Sequence, residues 1–168
     1  MRPMIKAIFA VDLEGGMGKD GSLPWPNDKE DMQWFSSNTR EHIVVMGSNT
    51  WLDPKMPKPL PNRHCVVVTN QNPDKFIEAQ DIIFGDALLP SLKVLEGHNP
   101  NKDIWIIGGA KLIESTKHLF QQIYLTTFYD NYNCDVKINV IDLLKPFQMQ
   151  HESYGKNKIF SVWKRAKL

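Results

Sequence analysis

Apolar runs without polar alternation are the feature that most limits how this chain can fold. Such runs lie at residues 5–11, 42–46, 65–69 and 104–107. A strand with apolar side chains on both faces must be buried on both faces, as in parallel sheets covered by helices. The runs at 42–46 and 104–107 pass through glycine directly into segments with helical character. The pattern therefore predicts a parallel sheet with flanking helices.

Further strands are predicted at 81–84 and 123–128, with a helix at 86–96 between them. Near the C-terminus, two strand-like runs flank Gly155-Lys156-Asn157, which is typical of a hairpin turn. We therefore expect an α/β fold with one domain over residues 1–168. It should have an open, mostly parallel central sheet of about eight strands, about four flanking helices and an antiparallel C-terminal hairpin.

Composition argues against several classes of protein. With 20 basic and 19 acidic residues the net charge is +1, so nucleic acid is not an expected partner and the basic tail is given no role. No signal segment and no long apolar run is present, so we expect no membrane contact and a reduced, cytoplasmic protein in spite of Cys65 and Cys134. The histidines lack metal-ligand spacing, so no metal site is expected.

The segment 23–35 places an acid among apolar side chains. Asn27, with Glu30 three residues later, predicts an N-cap and a helix start near residue 27. Three side chains of this helix fall within an arc of about 100° and face one pocket: Asp31, Met32 and Phe35. Spacing alone leaves two interpretations of Asp31 open, because it could cap the helix together with Asp28 or serve as a functional carboxylate.

Two loops flank this segment. Residues 13–22 contain four glycines, so regular structure is not expected, and the loop is either a flexible hairpin or a lid over a site near Asp31. Four prolines between 54 and 61 predict an extended loop that leads to Arg63. An arginine in that place could bind a carboxylate with both of its terminal nitrogens, and an ordinary surface arginine is the alternative.

The segment 104–114 has the order strand, two glycines, helix. Glycine lets a ligand approach the backbone, and the free N–H groups of a helix N-terminus favour anions, so this order suits a diphosphate. Gly47 makes a similar but weaker transition. Close packing of helix on strand is the alternative, and the G-x-G-x-x-G pattern is not present.

Eight segments, taken in order, resemble dihydrofolate reductase over nearly the whole chain. They are Ala10-Val11-Asp12, the glycine loop, Leu23-Pro24-Trp25, residues 31–35, Val45-Met46-Gly47 with Thr50-Trp51, Pro59-Leu60-Pro61 with Arg63, residues 106–110, and Tyr124-Leu125-Thr126. Each is weak alone, whereas their common order and spacing are specific.

The resemblance implies that NADPH gives a hydride to C6 of 7,8-dihydrofolate and that N5 is protonated, which yields 5,6,7,8-tetrahydrofolate. Asp31 would bind the pterin amino group and N3 and promote protonation of N5, and apolar neighbours would raise its pKa. Thr126 would hydrogen-bond Asp31 and the pterin, Trp25 would hold an ordered water, and Arg63 would bind the carboxylate of the glutamate tail. The implied catalytic residues are Asp31, Trp25 and Thr126.

The resemblance also implies two sets of ligand contacts. Those to the substrate are Ala7, Ile8, Leu23, Asp31, Met32, Phe35, Leu60, Arg63, Ile107 and Thr126. Those to the cofactor NADPH are Ala7, Met17, Ser22, Gly47, Ser48, Asn49, Thr50, Val68, Thr69, Asn70, Gly108, Gly109, Ala110, Lys111, Leu112 and Ile113. A cis peptide is implied at Gly108-Gly109. The expected molecule is a monomer with dihydrofolate as its partner.

Three positions depart from the family pattern. Ser48 replaces a basic residue that often meets the 2′-phosphate of the cofactor, so our preference for NADPH over NADH relies on Lys111 and nearby hydroxyls. Ile113 stands where a tyrosine often packs beside the nicotinamide, and Cys134 stands near a usual glycine in the loop that meets the lid.

Two rival functions remain. One is a reductase on the same fold that acts on another heterocycle, such as the pyrimidine intermediate of flavin synthesis, and Asp31 and Arg63 argue against it. The other is a non-catalytic structural or nucleotide-binding protein with this fold, which Trp25 and Thr126 make less attractive.

Overall fold

The computed structural model describes residues 3–56 and 60–166. Within them the strands are β1 (Ile5–Val11), β2 (Gly16–Gly18), β3 (Ile43–Gly47), β4 (His64–Thr69), β5 (Asp81–Phe84), β6 (Ile104–Gly108), β7 (Gln122–Phe128), β8 (Val136–Lys137), β9 (Phe147–Gly155) and β10 (Lys158–Arg165). The helices are α1 (Lys29–Thr39), α2 (Ser48–Leu52), α3 (Leu88–His98), α4 (Ala110–Thr116) and α5 (Val140–Leu144).

Eight strands form one sheet in the order β5-β4-β3-β6-β1-β7-β10-β9. Neighbours from β5 to β7 are parallel, and β10 and β9 add an antiparallel hairpin at one edge. The predicted fold is therefore confirmed. Consecutive side chains of a strand point to opposite faces, and the central strands are buried on both, so no polar alternation was visible in the sequence.

Each face of the sheet carries its own core. Val45 and Ile106 pack on one face with the side chains of α3 and α4, and Val44 and Trp105 pack on the other with α1 and α2. Full burial of an apolar side chain of this size contributes about 1.5–3 kcal/mol to folding. These two layers fix the strands whose carboxyl ends carry the site. No helix in the described ranges is long and apolar enough to cross a membrane.

The glycine loop differs from its prediction, because residues 16–18 form β2 and pair with β8 in a second, two-stranded sheet. The N–H of Ile138 donates to the carbonyl of Gly15 (2.9 Å), and the N–H of Asp135 to that of Gly18 (3.0 Å). The expectation of no regular structure was wrong since two loops far apart in sequence supply each other's hydrogen bonds.

Other segments can also be compared with the sequence predictions. The short helix α5 was not predicted, and Asn139 caps it by accepting the N–H of Asp142 (3.0 Å). In the proline-rich loop, residues 57–59 lie outside the described residues, and Leu60 is buried. The cis peptide expected at Gly108-Gly109 is present.

Candidate active site

The helix α1 begins two residues later than predicted. Asp28 is its N-cap, and the Oδ1 atom of Asp28 accepts the N–H of Asp31 (2.9 Å). The predicted pairing of Asn27 with Glu30 was wrong, because Glu30 turns to the β9–β10 hairpin and accepts a bond from Lys158 Nζ (2.7 Å). That contact spans more than a hundred residues, so local spacing could not reveal it.

The side chain of Asp31 is held at one oxygen by β7. Thr126 Oγ1 donates to Asp31 Oδ1 (2.7 Å), and Thr126 itself is buried. A carboxylate has about four acceptor positions. Among the described residues, Thr126 is the one that donates a hydrogen bond to the Asp31 carboxylate. Asp31 is half-buried, so it faces the open side of the site with acceptor capacity to spare.

The surroundings of Asp31 favour its protonated form. Burial raises the pKa of Asp31 above its usual range, and the charge of Asp28 raises it further. The hydrogen bond from Thr126 and the charge of Lys158 oppose this rise. Desolvation is the largest of these effects, which is the usual reason that a carboxyl in an active site stays protonated closer to neutral pH.

Aromatic side chains hold Trp25 in place. Trp25 is buried and stacks on Phe128 with ring centroids 4.6 Å apart, and Tyr132 meets its edge at 5.9 Å. In contrast, Met32 is 53% exposed and Leu23 is 44% exposed. Trp25 is therefore fixed by the protein, whereas Met32 and Leu23 present apolar surface that a ligand could cover.

Arg63 is held by neutral oxygens. Its guanidinium donates to Ser36 Oγ (2.6 Å), Thr39 Oγ1 (2.8 Å) and the carbonyl of Pro61 (3.0 Å), and it lies 5.5 Å from the ring of Phe35. Among the described residues no carboxylate pairs with it. Burial and the charge of Arg40 lower the pKa of Arg63 somewhat. A partly desolvated cation without an acid suits an anionic ligand.

Two glycine-capped helices meet where β3 and β6 end side by side. Gly47 is the N-cap of α2 and Gly109 that of α4, and neither helix has a side-chain cap. A Cβ at Gly47 would lie 3.6 Å from the N atom of Gly109, and one at Gly108 would lie 3.5 Å from Thr50 Oγ1. The two backbones thus approach closely and leave N–H groups free, which is the chemistry that a diphosphate requires.

The other predicted cofactor residues fall into three groups. Asn49 and Lys111 are exposed, and Ala110 is half-exposed. Ser48 Oγ and Thr69 Oγ1 accept bonds from Gln71, and Asn70 Oδ1 accepts the N–H of Gly85, so polar side chains line the ends of β3 and β4 after Val68. The remaining side chains pack largely in the core, namely Ala7, Met17, Leu112 and Ile113.

Ser22 and the strand residues Ile8 and Ile107 complete the predicted set. Ser22 Oγ donates to Asp53 Oδ1 (2.9 Å) at the end of α2, which ties the glycine loop to that helix. Ile8 and Ile107 pack against the core on the α1 face of the sheet. The predicted residues 47–50, 68–70 and 108–111 thus lie at the carboxyl ends of β3, β4 and β6, whereas Arg63 directly precedes β4, at the amino end of the same parallel strands.

Sequence reasoning missed two charged residues. Asp12 is 1% exposed, and its carboxylate accepts backbone hydrogen bonds from the glycine loop. Lys158 is also 1% exposed and lies beneath α1, where it pairs with Asp28 and Glu30. Asp12 directly follows a buried strand, which was its one signal. Lys158 lies in a hairpin with other lysines and gave none.

A half-buried acid with free acceptor positions, an arginine without a carboxylate partner among the described residues and two glycine-capped helix N-termini are features by which α/β proteins bind ligands. A family model described as dihydrofolate reductase matches residues 4–163. The dihydrofolate reductase of Bacillus subtilis (strain 168) is 33% identical, with 79% of this chain and 73% of the relative covered. That of Mycoplasma pneumoniae is 31% identical, with 98% and 100% covered.

The chain belongs to the dihydrofolate reductase family. The family is one of oxidoreductases that act on dihydrofolate and normally use a nicotinamide cofactor.

Proposed function

We propose that this protein catalyses the NADPH-dependent reduction of 7,8-dihydrofolate to 5,6,7,8-tetrahydrofolate, with hydride transfer to C6 and protonation of N5. The observation that carries the proposal is the Asp31 carboxyl, bound by Thr126 alone among the described residues and backed by the family match. When bound, NADPH supplies the hydride.

Asp31 is the acid of this proposal. Its unused acceptor positions suit the amino group and N3–H of a pterin, and its raised pKa suits a group that assists protonation of N5 near neutral pH. Thr126 holds one oxygen in place and leaves the other free. Trp25, fixed on Phe128, excludes bulk solvent and orients a water toward N5.

Arg63 binds the carboxylate of the glutamate tail. Its anchors, Ser36 and Thr39, are neutral, so a ligand carboxylate would supply the missing negative charge. The apolar surface between Arg63 and Asp31 is provided by Phe35, Met32, Leu23 and Leu60.

The cofactor site is formed by the two glycine-capped helices. The backbone at Gly47 to Thr50 and at Gly108 to Lys111 would hold the diphosphate through N–H groups. Residues 68–70 at the end of β4 would line the adenosine half. We propose NADPH over NADH, with the Ser48 hydroxyl and Lys111 as the groups that meet the 2′-phosphate.

The proposal includes a cytoplasmic monomer. The cytoplasmic location is supported by two free, buried cysteines, Cys65 and Cys134, which suit a reducing compartment. The rival heterocycle reductase and the rival non-catalytic protein lack support at Asp31 and Arg63, because neither function requires a half-buried acid together with an arginine that binds a carboxylate.

The test is a steady-state assay of NADPH absorbance with dihydrofolate, run beside NADH and beside the pyrimidine intermediate of flavin synthesis. We expect turnover with dihydrofolate and NADPH, and a higher KM for NADH. Glu30→Gln serves as a control for handling, since Glu30 lies outside the proposed contacts. Absence of turnover at saturating dihydrofolate would disprove the proposal, and turnover of the pyrimidine alone would favour the first rival.

A further inference from the structure

Lys158 is a buried cation whose hydrogen-bonding capacity is fully used. An ammonium group has three donors, and Nζ of Lys158 lies 2.7 Å from Glu30 Oε1, 3.1 Å from Asp28 Oδ2 and 2.6 Å from the carbonyl of Lys156. Burial alone would lower the pKa of Lys158, but the bonds that it donates to Glu30 and Asp28 raise the pKa overall. The side chain therefore stays charged across the working pH range.

Asp28 connects this cation to the proposed catalytic acid. One oxygen of its carboxylate accepts the N–H of Asp31 (2.9 Å), and the other pairs with Lys158 (3.1 Å). A single side chain thus caps α1 and joins β10 to the backbone of Asp31. Any movement of Lys158 would be passed to the first turn of α1, where the direction of the Asp31 side chain is set.

Three elements present polar or charged groups to the Asp31 carboxyl. Asp28 contributes a negative charge from the start of α1, Lys158 a positive charge from β10, and Thr126 a hydroxyl donor from β7. Burial raises the pKa of Asp31, Asp28 adds to that rise, and Lys158 opposes it. Glu30 is different, since its side chain is 47% exposed and turned toward the hairpin.

We propose that Lys158 is a positioning residue for Asp31, which it holds through Asp28 while its charge offsets the Asp28 carboxylate. The pair sets both the place and the proton affinity of an acid that Lys158 does not touch. This inference rests on the proposed role of Asp31 in reduction. The N-cap of α1 therefore has two roles, because one oxygen of its carboxylate accepts a helix N–H and the other pairs with a buried cation.

Two substitutions should move the titration of Asp31 in opposite directions. Lys158→Met removes the positive charge and leaves Asp28 uncompensated, so Asp31 should titrate at higher pH. Asp28→Asn removes the negative charge but keeps a good N-cap, so Asp31 should titrate at lower pH. Lys158→Arg keeps the charge and should stay close to wild type, and Glu30→Gln, which removes the other partner of Lys158, is the matched control with no expected shift.

The measurement is the pH titration of the Asp31 carboxyl carbon by ¹³C NMR in the full-length protein without ligand, with Asp31→Asn to assign the signal. Opposite shifts for Lys158→Met and Asp28→Asn support the proposal. Shifts in one direction, no shift in either, or an equal shift in Glu30→Gln would overturn it. If Lys158→Met does not fold, the sign and size of the Asp28→Asn shift against Glu30→Gln decide.

The pH profile of dihydrofolate reduction gives a second readout, because its midpoint should move with the NMR titration. A purely structural Lys158 would lower the melting temperature in Lys158→Met and leave the midpoint in place. If no variant and no wild-type protein reduces dihydrofolate, the proposed function fails, while the NMR titration still decides whether Lys158 and Asp28 act on Asp31.

Discussion

Asp12 and Asp31 lie near the ends of two neighbouring parallel strands, β1 and β7, and they are held in opposite ways. The Asp12 carboxylate accepts the N–H groups of Gly16 (2.7 Å), Glu14 (2.9 Å) and Tyr132 (3.0 Å), and the thiol of Cys134 lies 3.4 Å away. Among the described residues, Asp31 accepts one side-chain bond, from Thr126. Four donors fill the acceptor capacity of Asp12, whereas most of that of Asp31 is free.

The pKa values of the two acids follow from this difference. Burial alone would raise the pKa of Asp12, but the N–H groups of Tyr132, Gly16 and Glu14 and the Cys134 thiol together lower it. For Asp31 burial dominates, and the pKa is raised. A buried carboxylate that is saturated with donors, such as Asp12, links backbone segments, and we call it a structural joint. A carboxylate that is left unsaturated is available to bind a ligand and a proton.

The strongest test of the comparison is Asp31→Asn. At neutral pH we expect turnover to fall by about 10²–10⁴-fold, the usual contribution of a proton-transfer group, with NADPH affinity unchanged. The loss should shrink at low pH, where substrate arrives protonated. Steady-state rates between pH 5 and 9 check this, and a variant with normal turnover would make Asp31 no more than a first-turn acid.

The same variant should not weaken the fold. An acid whose pKa is raised by folding binds its proton more tightly in the native state, so its ionised form reduces stability as pH rises above the unfolded value. Asp31→Asn should therefore be slightly more stable than wild type at pH 8 and equal to it in acid. Urea denaturation at both pH values measures this.

Asp12→Asn should instead destabilise the fold at neutral pH. An amide offers an NH₂ group where the carboxylate accepts bonds, so a donor meets a donor, and the loss should be about 1.5–3 kcal/mol at pH 7. The stabilisation by Asp12 is complete above about pH 4, the unfolded value, and is lost as pH falls through its lowered native pKa. Urea denaturation from pH 3 to 7 should show the two curves converge in acid, with Glu14→Gln as a surface control.

Gly16→Ala tests how tightly the Asp12 joint is packed. A Cβ there would collide with Cys134 Sγ and lie 2.8 Å from Asp12 Oδ1, so we expect the free energy of unfolding to fall by about 1–3 kcal/mol. Adding Cys134→Gly should restore part of it. Gly18→Ala is the matched control, since its nearest contact is 3.5 Å. Equal losses in both alanine variants would show that the loop, and not the joint, is sensitive.

The smallest expected effect is on the Cys134 thiol. Burial raises its pKa to about 11, and the bond and charge of Asp12 add to the rise. Alkylation at pH 8 should be slow, because only about one thiol in a thousand is ionised. Asp12→Asn should increase the rate several-fold, measured by mass spectrometry in a Cys65→Ala background. An unchanged rate would mean that burial alone protects the thiol.

The sheet and its helices could be predicted because the periodicity of buried residues is a local property. The runs that became β3, β4 and β6 carry their burial on both faces in the sequence itself, and glycine after a strand marked the starts of α2 and α4. The pairing of β2 with β8 could not be predicted, since short, glycine-rich strands lack a pattern and find their partner only when β1 and β7 bring the two loops together.

In the candidate site too, some features could be predicted from the sequence and others could not. Asp31, Arg63 and the Gly108-Gly109 pair were predicted as site residues from residue type and order, supported by the resemblance. The division of labour between the acids of α1 was not, because Glu30 faces a lysine more than a hundred residues away and Asp28 has two partners. Helical spacing describes which face a side chain is on, and it contains no information about what stands opposite.

The sequence by itself thus determined the strands of the eight-stranded sheet and the glycine-capped helices, and it predicted Asp31 as the acid beside an apolar wall, because these features depend on neighbours within a few residues. Only the tertiary structure decided which carboxylates are saturated. Asp12 and Asp31 have the same chemistry, and their different pKa values come from donors on distant strands and loops. Hydrogen bonding and desolvation act through space, so only the folded chain distinguishes a carboxylate that is saturated with donors from one that is not.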